Sequence, residues 1–136
     1  MSQISVRHES GDRFRVSVRG HDVVVDQPQT GDAGPTPTEL FVASLAACAG
    51  FYARRFLSRH GVADGELSVS CDFGWAPDHS RVESIAIRIE TPDGVPDELR
   101  APLERVLDHC TVHESLHVAP AITFEIASPA LVGPAA

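Results

Sequence analysis

Basic side chains are scarce in this chain. Lys and Arg together number 11 against 19 Asp and Glu, the formal charge is -8, and no basic run occurs. That balance excludes a nucleic-acid backbone or an anionic membrane as the main partner, since either would call for clustered positive charge. The amino-terminal stretch from Met1 to His8 lacks the basic-then-apolar order of a secretory signal. No stretch approaches the roughly 20 apolar residues of a membrane span, so the expected location is cytoplasmic. Cysteine is sparse too. Three of them, Cys48, Cys71 and Cys110, make an odd number for a disulfide framework. In a reducing compartment a cysteine pair more often serves redox or metal chemistry than structural bridging. No CxxC pattern and no internal repeat occurs.

What is present suffices for one core. With 136 residues and 43% hydrophobic content, the chain has the size of a single domain spanning 1–136. Phe14, Val16 and Val18 alternate with polar residues, and Val23-Val24-Val25 follows a turn-like Gly20-His21-Asp22, which predicts a hairpin or meander. Gly31 to Pro35 is a loop. Thr36-Pro37-Thr38-Glu39 is a helix start: Thr36 can cap, Pro37 suits the first position, and Glu39 completes a capping box. The helix should run from Leu40 to about Arg59, with apolar side chains at spacings of three and four and small alanines that permit close packing. Leu67-Val69-Cys71 and Ile85-Ile87-Ile89 predict two further strands. A second helix is expected from about Pro96 to His109, with Pro102 tolerable only in its first turn. Thr111 to Glu114 repeats the capping-box pattern and predicts a short helix immediately after Cys110, and Ile122-Phe124-Ile126 predicts a last strand. Strands and helices come in blocks, which favours an α+β fold over a doubly wound sheet.

The cysteines differ in setting. Cys48 lies on the apolar face of the long helix between Leu45 and Phe51-Tyr52, where a small buried hydrophobe would also sit. Cys110 precedes a helix whose free N–H groups favour a thiolate, and His109 and His113 can add positive character. Cys71 shares a strand face with Leu67 and Val69 and reads as core filler. His109, His113 and His117 are spaced four apart and, with Cys110, raise the question of zinc; a cap at Thr111 would break that run between His109 and His113.

Two segments carry a resemblance. Gly34-Pro35-Thr36-Pro37-Thr38-Glu39-Leu40-Phe41-Val42-Ala43-Ser44-Leu45-Ala46-Ala47-Cys48 resembles the OsmC/Ohr helix that delivers a peroxide-attacking cysteine. His109-Cys110-Thr111-Val112-His113-Glu114-Ser115-Leu116 resembles that family's second-cysteine segment. Their order and the flanking strands extend the likeness over nearly the whole chain. The resemblance implies antiparallel sheets wrapped around a long central helix in an intertwined homodimer. It also implies a thiol-dependent peroxidase acting on organic hydroperoxides and hydrogen peroxide in oxidative stress defence. Cys48 would be the attacking thiol and Cys110 the resolving one, with no metal, flavin or haem cofactor and with a dithiol reductant of lipoyl or thioredoxin type. The apolar side chains Leu45, Phe51, Tyr52 and Phe56 suggest a preference for hydrophobic peroxides.

The pattern also departs from the family. In the Ohr branch a glutamate stands ten positions before the attacking cysteine and holds an activating arginine; here that position is Thr38. Glu39 is the neighbouring candidate, yet nine residues of helix turn it by about half a revolution and set it roughly 14 Å along the axis from Cys48. A catalytic Glu39 would need contact through another part of a dimer. Arg19 is the best match to the family's arginine, with Arg13 and Arg15 as competitors. These departures place the chain nearer the broader OsmC-like group than the Ohr branch. The alternative is a non-enzymatic dimer that binds a small apolar ligand or senses oxidants.

Overall fold

The computed structural model describes residues 3–62 and 65–129. An antiparallel meander comes first: β1 (Ser5–Ser10), β2 (Arg13–Val18) and β3 (His21–Val25), with β2 in the middle. The β2–β3 turn is Arg19-Gly20, not the expected Gly20-His21-Asp22, because Val18 pairs with His21 and Ser17 with Asp22. Arg19 (φ 49) and Gly20 (φ 81) are both left-handed, the geometry that matches a two-residue turn to the twist of its strands.

Asp26 organises the loop that follows. It is 2% exposed and accepts hydrogen bonds from the Gln27 and Ala33 amides at 2.8 and 3.1 Å, while its own amide donates to the Pro35 carbonyl. Those two amides, helped by the Arg13 guanidinium at 3.6 Å, hold the carboxyl below its ordinary pKa against the effect of burial. Gly34 is required here, since a Cβ would run into the Val24 carbonyl.

Helix α1 (Pro37–Arg59) begins with the expected capping box. The Glu39 amide donates to Thr36 Oγ1 at 3.1 Å, and the Thr36 amide donates to Glu39 Oε1 at 2.8 Å. Val42, Leu45, Ala46, Ala49, Ala53 and Leu57 are buried. They face the antiparallel hairpin β4 (Ser68–Trp75) and β5 (Val82–Glu90) and the helix α2 (Asp97–Asp108). Ala53, Leu57 and Leu103 form the innermost cluster, and Phe56 packs against it, so Phe56 serves the core. Full burial of side chains such as Leu57 and Leu103 contributes about 1.5–3 kcal/mol each. The slender helix does allow close approach: a Cβ on Gly50 would lie 3.0 Å from a Val69 methyl. By length and composition α1 could cross a membrane, contrary to expectation; the buried residues just named make it a core helix. Its other side leaves Phe41 and Phe51 exposed at 38% and 54%.

Three expectations need correction. Pro102 lies in the second turn of α2 rather than the first. The carbonyl it leaves unbonded belongs to Glu98, in the exposed start of the helix, where water can take the place of the missing donor. Helix α3 (Thr111–His117) does follow Cys110, but without a capping box: Cys110 is the N-cap, Thr111 is already helical, and no side chain caps the end. The predicted strand at Ile122-Phe124-Ile126 is irregular, with these side chains 71%, 93% and 97% exposed. Among the described residues it belongs to neither sheet. The principal packing of α1 is with β4, β5, α2 and α3, whereas β1, β2 and β3 chiefly contact one another. The result is an α+β fold with two small antiparallel sheets.

Candidate functional site

Helix α1 and the corner between α2 and α3 bring two cysteines together. Cys48 is half-buried on α1. Cys110 is wholly buried at the corner, where its amide donates to the Leu107 carbonyl and its own carbonyl starts α3 by accepting from the Glu114 amide. Both are free thiols, and Cys48 lies near enough to act on the electrostatics of Cys110. One turn along α1 from Cys48, the Tyr52 hydroxyl is 2.9 Å from the Thr111 hydroxyl. That bond joins α1 to α3 beside the cysteines.

The electrostatics of Cys110 differ from the sequence expectation. Its pKa is raised, chiefly by burial, and the neighbouring Cys48 raises it further. The amides of His113 and Val112 at the start of α3 act in the expected direction, lowering it, but desolvation outweighs them. Cys110 is thus held toward its protonated, thiol form.

The histidines turn to separate partners. His109 Nδ1 pairs with Glu114 at 3.0 Å, which lowers the Glu114 pKa. His113 stacks on His117 with ring centroids 4.4 Å apart. Among the described residues no group of three or more His, Cys, Asp or Glu is placed to hold a metal ion.

A groove of about 800 Å³ opens between α1, β5, α2 and α3. Leu45, Ile85, Ile87, Leu116 and Cys110 contribute to its wall, with His113 beside them. Cys48 does not line it.

The other candidates lie apart from the pair. Glu39 is engaged in its cap. Arg19 is exposed at the tip of the β2–β3 hairpin, on the sheet that does not pack substantially on α1. Its competitors are engaged elsewhere: Arg13 with Asp26, and Arg15 with Glu9 and Asp22. Cys71 is half-buried opposite Ile87 in the β4–β5 hairpin. Sequence reasoning missed the Tyr52–Thr111 bridge and the part β5 plays in the groove. The available signal for the bridge was the spacing, because Tyr52 lies four residues after Cys48 and Thr111 adjoins Cys110.

Comparison with known proteins matches residues 29–125 to the family described as OsmC-like protein. No curated protein matches the chain. Among solved structures, a protein of Psychrobacter arcticus provisionally described as an osmotic stress induced and detoxification response protein is similar, with a TM-score of 0.77 at 19% identity over 85% of this chain and 88% of that one. An OsmC-like protein from Mycoplasma pneumoniae gives a TM-score of 0.74 at 15% identity over 88% and 89%. The organic hydroperoxide resistance protein OhrB of Bacillus subtilis gives 0.59 at 18% identity over 85% and 89%.

Proposed function

The chain belongs to the OsmC-like family, and from that footing we propose that it is a thiol-dependent peroxidase that reduces organic hydroperoxides. The observation that carries the reading is the proximity of Cys48 to the buried Cys110, where α1 packs on α2 and α3. Cys48, the more accessible of the two, attacks as a thiolate. A sulfur–oxygen bond forms and the peroxide O–O bond breaks, the sulfur is oxidised by two electrons to a sulfenic acid, and the leaving oxygen departs as an alcohol after taking a proton. Cys110, held protonated beside it, then condenses with the sulfenic acid: the sulfur–sulfur bond forms and water leaves. An external dithiol reductant, lipoyl or thioredoxin in type, returns the disulfide to two thiols.

The active form in this proposal is a cytoplasmic homodimer. Exposed Phe41 and Phe51 on α1 and the alternating, uncovered Ile122, Phe124 and Ile126 support it, because a second copy would cover apolar surface that one chain leaves in water. Arg19 and Glu39 could join the cysteines only across such a dimer. The groove favours a second reading, a dimer that binds a small apolar ligand or senses oxidants, since a cavity of this size walled in part by Leu45, Ile85, Ile87 and Leu116 has room for a small molecule. Stoichiometry separates the two. One equivalent of an organic hydroperoxide added to the reduced protein should yield one alcohol and remove two thiols; an intact hydroperoxide with all thiols retained would leave the ligand-binding reading.

A further inference from the structure

We propose that Tyr52 and Thr111 form a positioning pair that holds α3 against α1 while Cys48 and Cys110 close into a disulfide. The inference rests on the proposed redox pairing of the two cysteines. Three observations lead to it. Tyr52 lies four residues after Cys48 and so shares its helix face one turn on, while Thr111 adjoins Cys110. Their hydroxyls are 2.9 Å apart, so this contact joins α1 to the start of α3 beside the two cysteines. Finally, α3 buries none of its own seven residues and has no side-chain cap. Packing does little to hold it, and the Thr111 hydroxyl that the sequence pattern assigned to the cap is bonded to Tyr52 instead.

Disulfide geometry explains why such a restraint matters. The sulfurs must come to about 2.05 Å with a narrow range of dihedral angles. Without a restraint between α3 and α1, the corner would present Cys110 to Cys48 in more orientations, few of them productive. Fixing Thr111 to Tyr52 removes one helix-docking freedom before the sulfurs react, an orientation effect on the closure step. The tether touches neither the peroxide nor the sulfurs, so both residues are positioning residues. In the step they assist, the Cys48 sulfenic acid and Cys110 thiol give one sulfur–sulfur bond and one water.

The test compares full-length wild type with Tyr52→Phe, Thr111→Val, the double variant and Thr111→Ser. For each, formation of Cys48 sulfenic acid with cumene hydroperoxide is followed by dimedone trapping, and closure of the Cys48–Cys110 bridge by mass spectrometry. Closure is also driven by diamide, which accepts the two hydrogens of the thiols without any peroxide step. Loss of one net hydrogen bond from the closure transition state corresponds to about a fivefold slowing. Tyr52→Phe and Thr111→Val should each slow closure by about that factor relative to sulfenic acid formation, the double variant should be no slower than either single one, and Thr111→Ser should recover wild-type closure. Variants that close as fast as wild type, or that lose both steps equally, would overturn the tether. A wild type inert to hydroperoxide but closing faster than its variants with diamide would keep the tether and remove the peroxidase reading. Failure to close with either oxidant would overturn both.

Discussion

Cys110, completely buried where α2 turns into α3, has the half-buried Cys48 of α1 as a neighbour that raises its pKa. The two thiols are thus neighbours with unequal access to solvent. Iodoacetamide at neutral pH should modify Cys48 well before Cys110 in the native protein, and both at similar rates in urea. Peptide mapping reads the order. Equal labelling of both in the native state would contradict the division into an accessible attacking thiol and a shielded resolving one.

Burial raises the Cys110 pKa above the ordinary thiol value of 9.0, which gives stability a definite dependence on alkali. An acid whose folded pKa is raised contributes stability that is fully present below the unfolded pKa. That contribution is lost as pH rises through the folded value, because ionising the buried thiol opposes folding. The melting temperature of the wild type should therefore fall on passing from pH 8 to above about 9, and the fall should be shallower in Cys110→Ala. Parallel pH profiles for the two proteins would show that Cys110 is not the group responsible.

Glu39 offers a separation of capping from chemistry. Its side chain closes the box on the Thr36 amide, so Glu39→Ala should lose about 1 kcal/mol of stability in urea unfolding. Glu39→Gln keeps a side-chain acceptor of the same length and should remain within about 0.5 kcal/mol of wild type. If the cap is its main role, Glu39→Gln also retains peroxide consumption. A variant as stable as wild type but inactive would show that the carboxylate reaches the site across a dimer.

The proposed dimer has its own signature. Phe51 and Phe124 are 54% and 93% exposed in the single chain. Phe51→Asp combined with Phe124→Asp would place charge where a second copy is expected to bury rings, and should shift sedimentation from twice the chain mass to the chain mass. Wild type that sediments as a monomer at all concentrations would contradict the dimer.

The parts of this fold that were legible in the sequence are those written in local chemistry. The box at Thr36 and Glu39, the apolar spacing of α1 and the alternation of β5 each leave a repeating mark. Thr111 and Glu114 also display a capping pattern, yet Thr111 bonds Tyr52 and Glu114 bonds His109, so tertiary partners took both groups from the cap. The turn at Arg19-Gly20 was obscured because an arginine occupies a left-handed position more often given to Asn or Gly. At Ile122, Phe124 and Ile126 the alternation is plain, but a strand exists only beside another strand. The likeness of both cysteine segments to one family named the pair. Their proximity, and the burial that raises the Cys110 pKa, depend on how α1, α2 and α3 pack and could not be obtained from spacing.

The most direct measurement follows free thiols after one equivalent of organic hydroperoxide is added to the reduced protein and maps the product by mass spectrometry, with Cys48→Ser and Cys110→Ser alongside. The account predicts rapid loss of two thiols into a Cys48–Cys110 bridge, no reaction in Cys48→Ser, and arrest at the Cys48 sulfenic acid in Cys110→Ser. Thiols that stay reduced, or a bridge that forms through Cys71 instead, would contradict it.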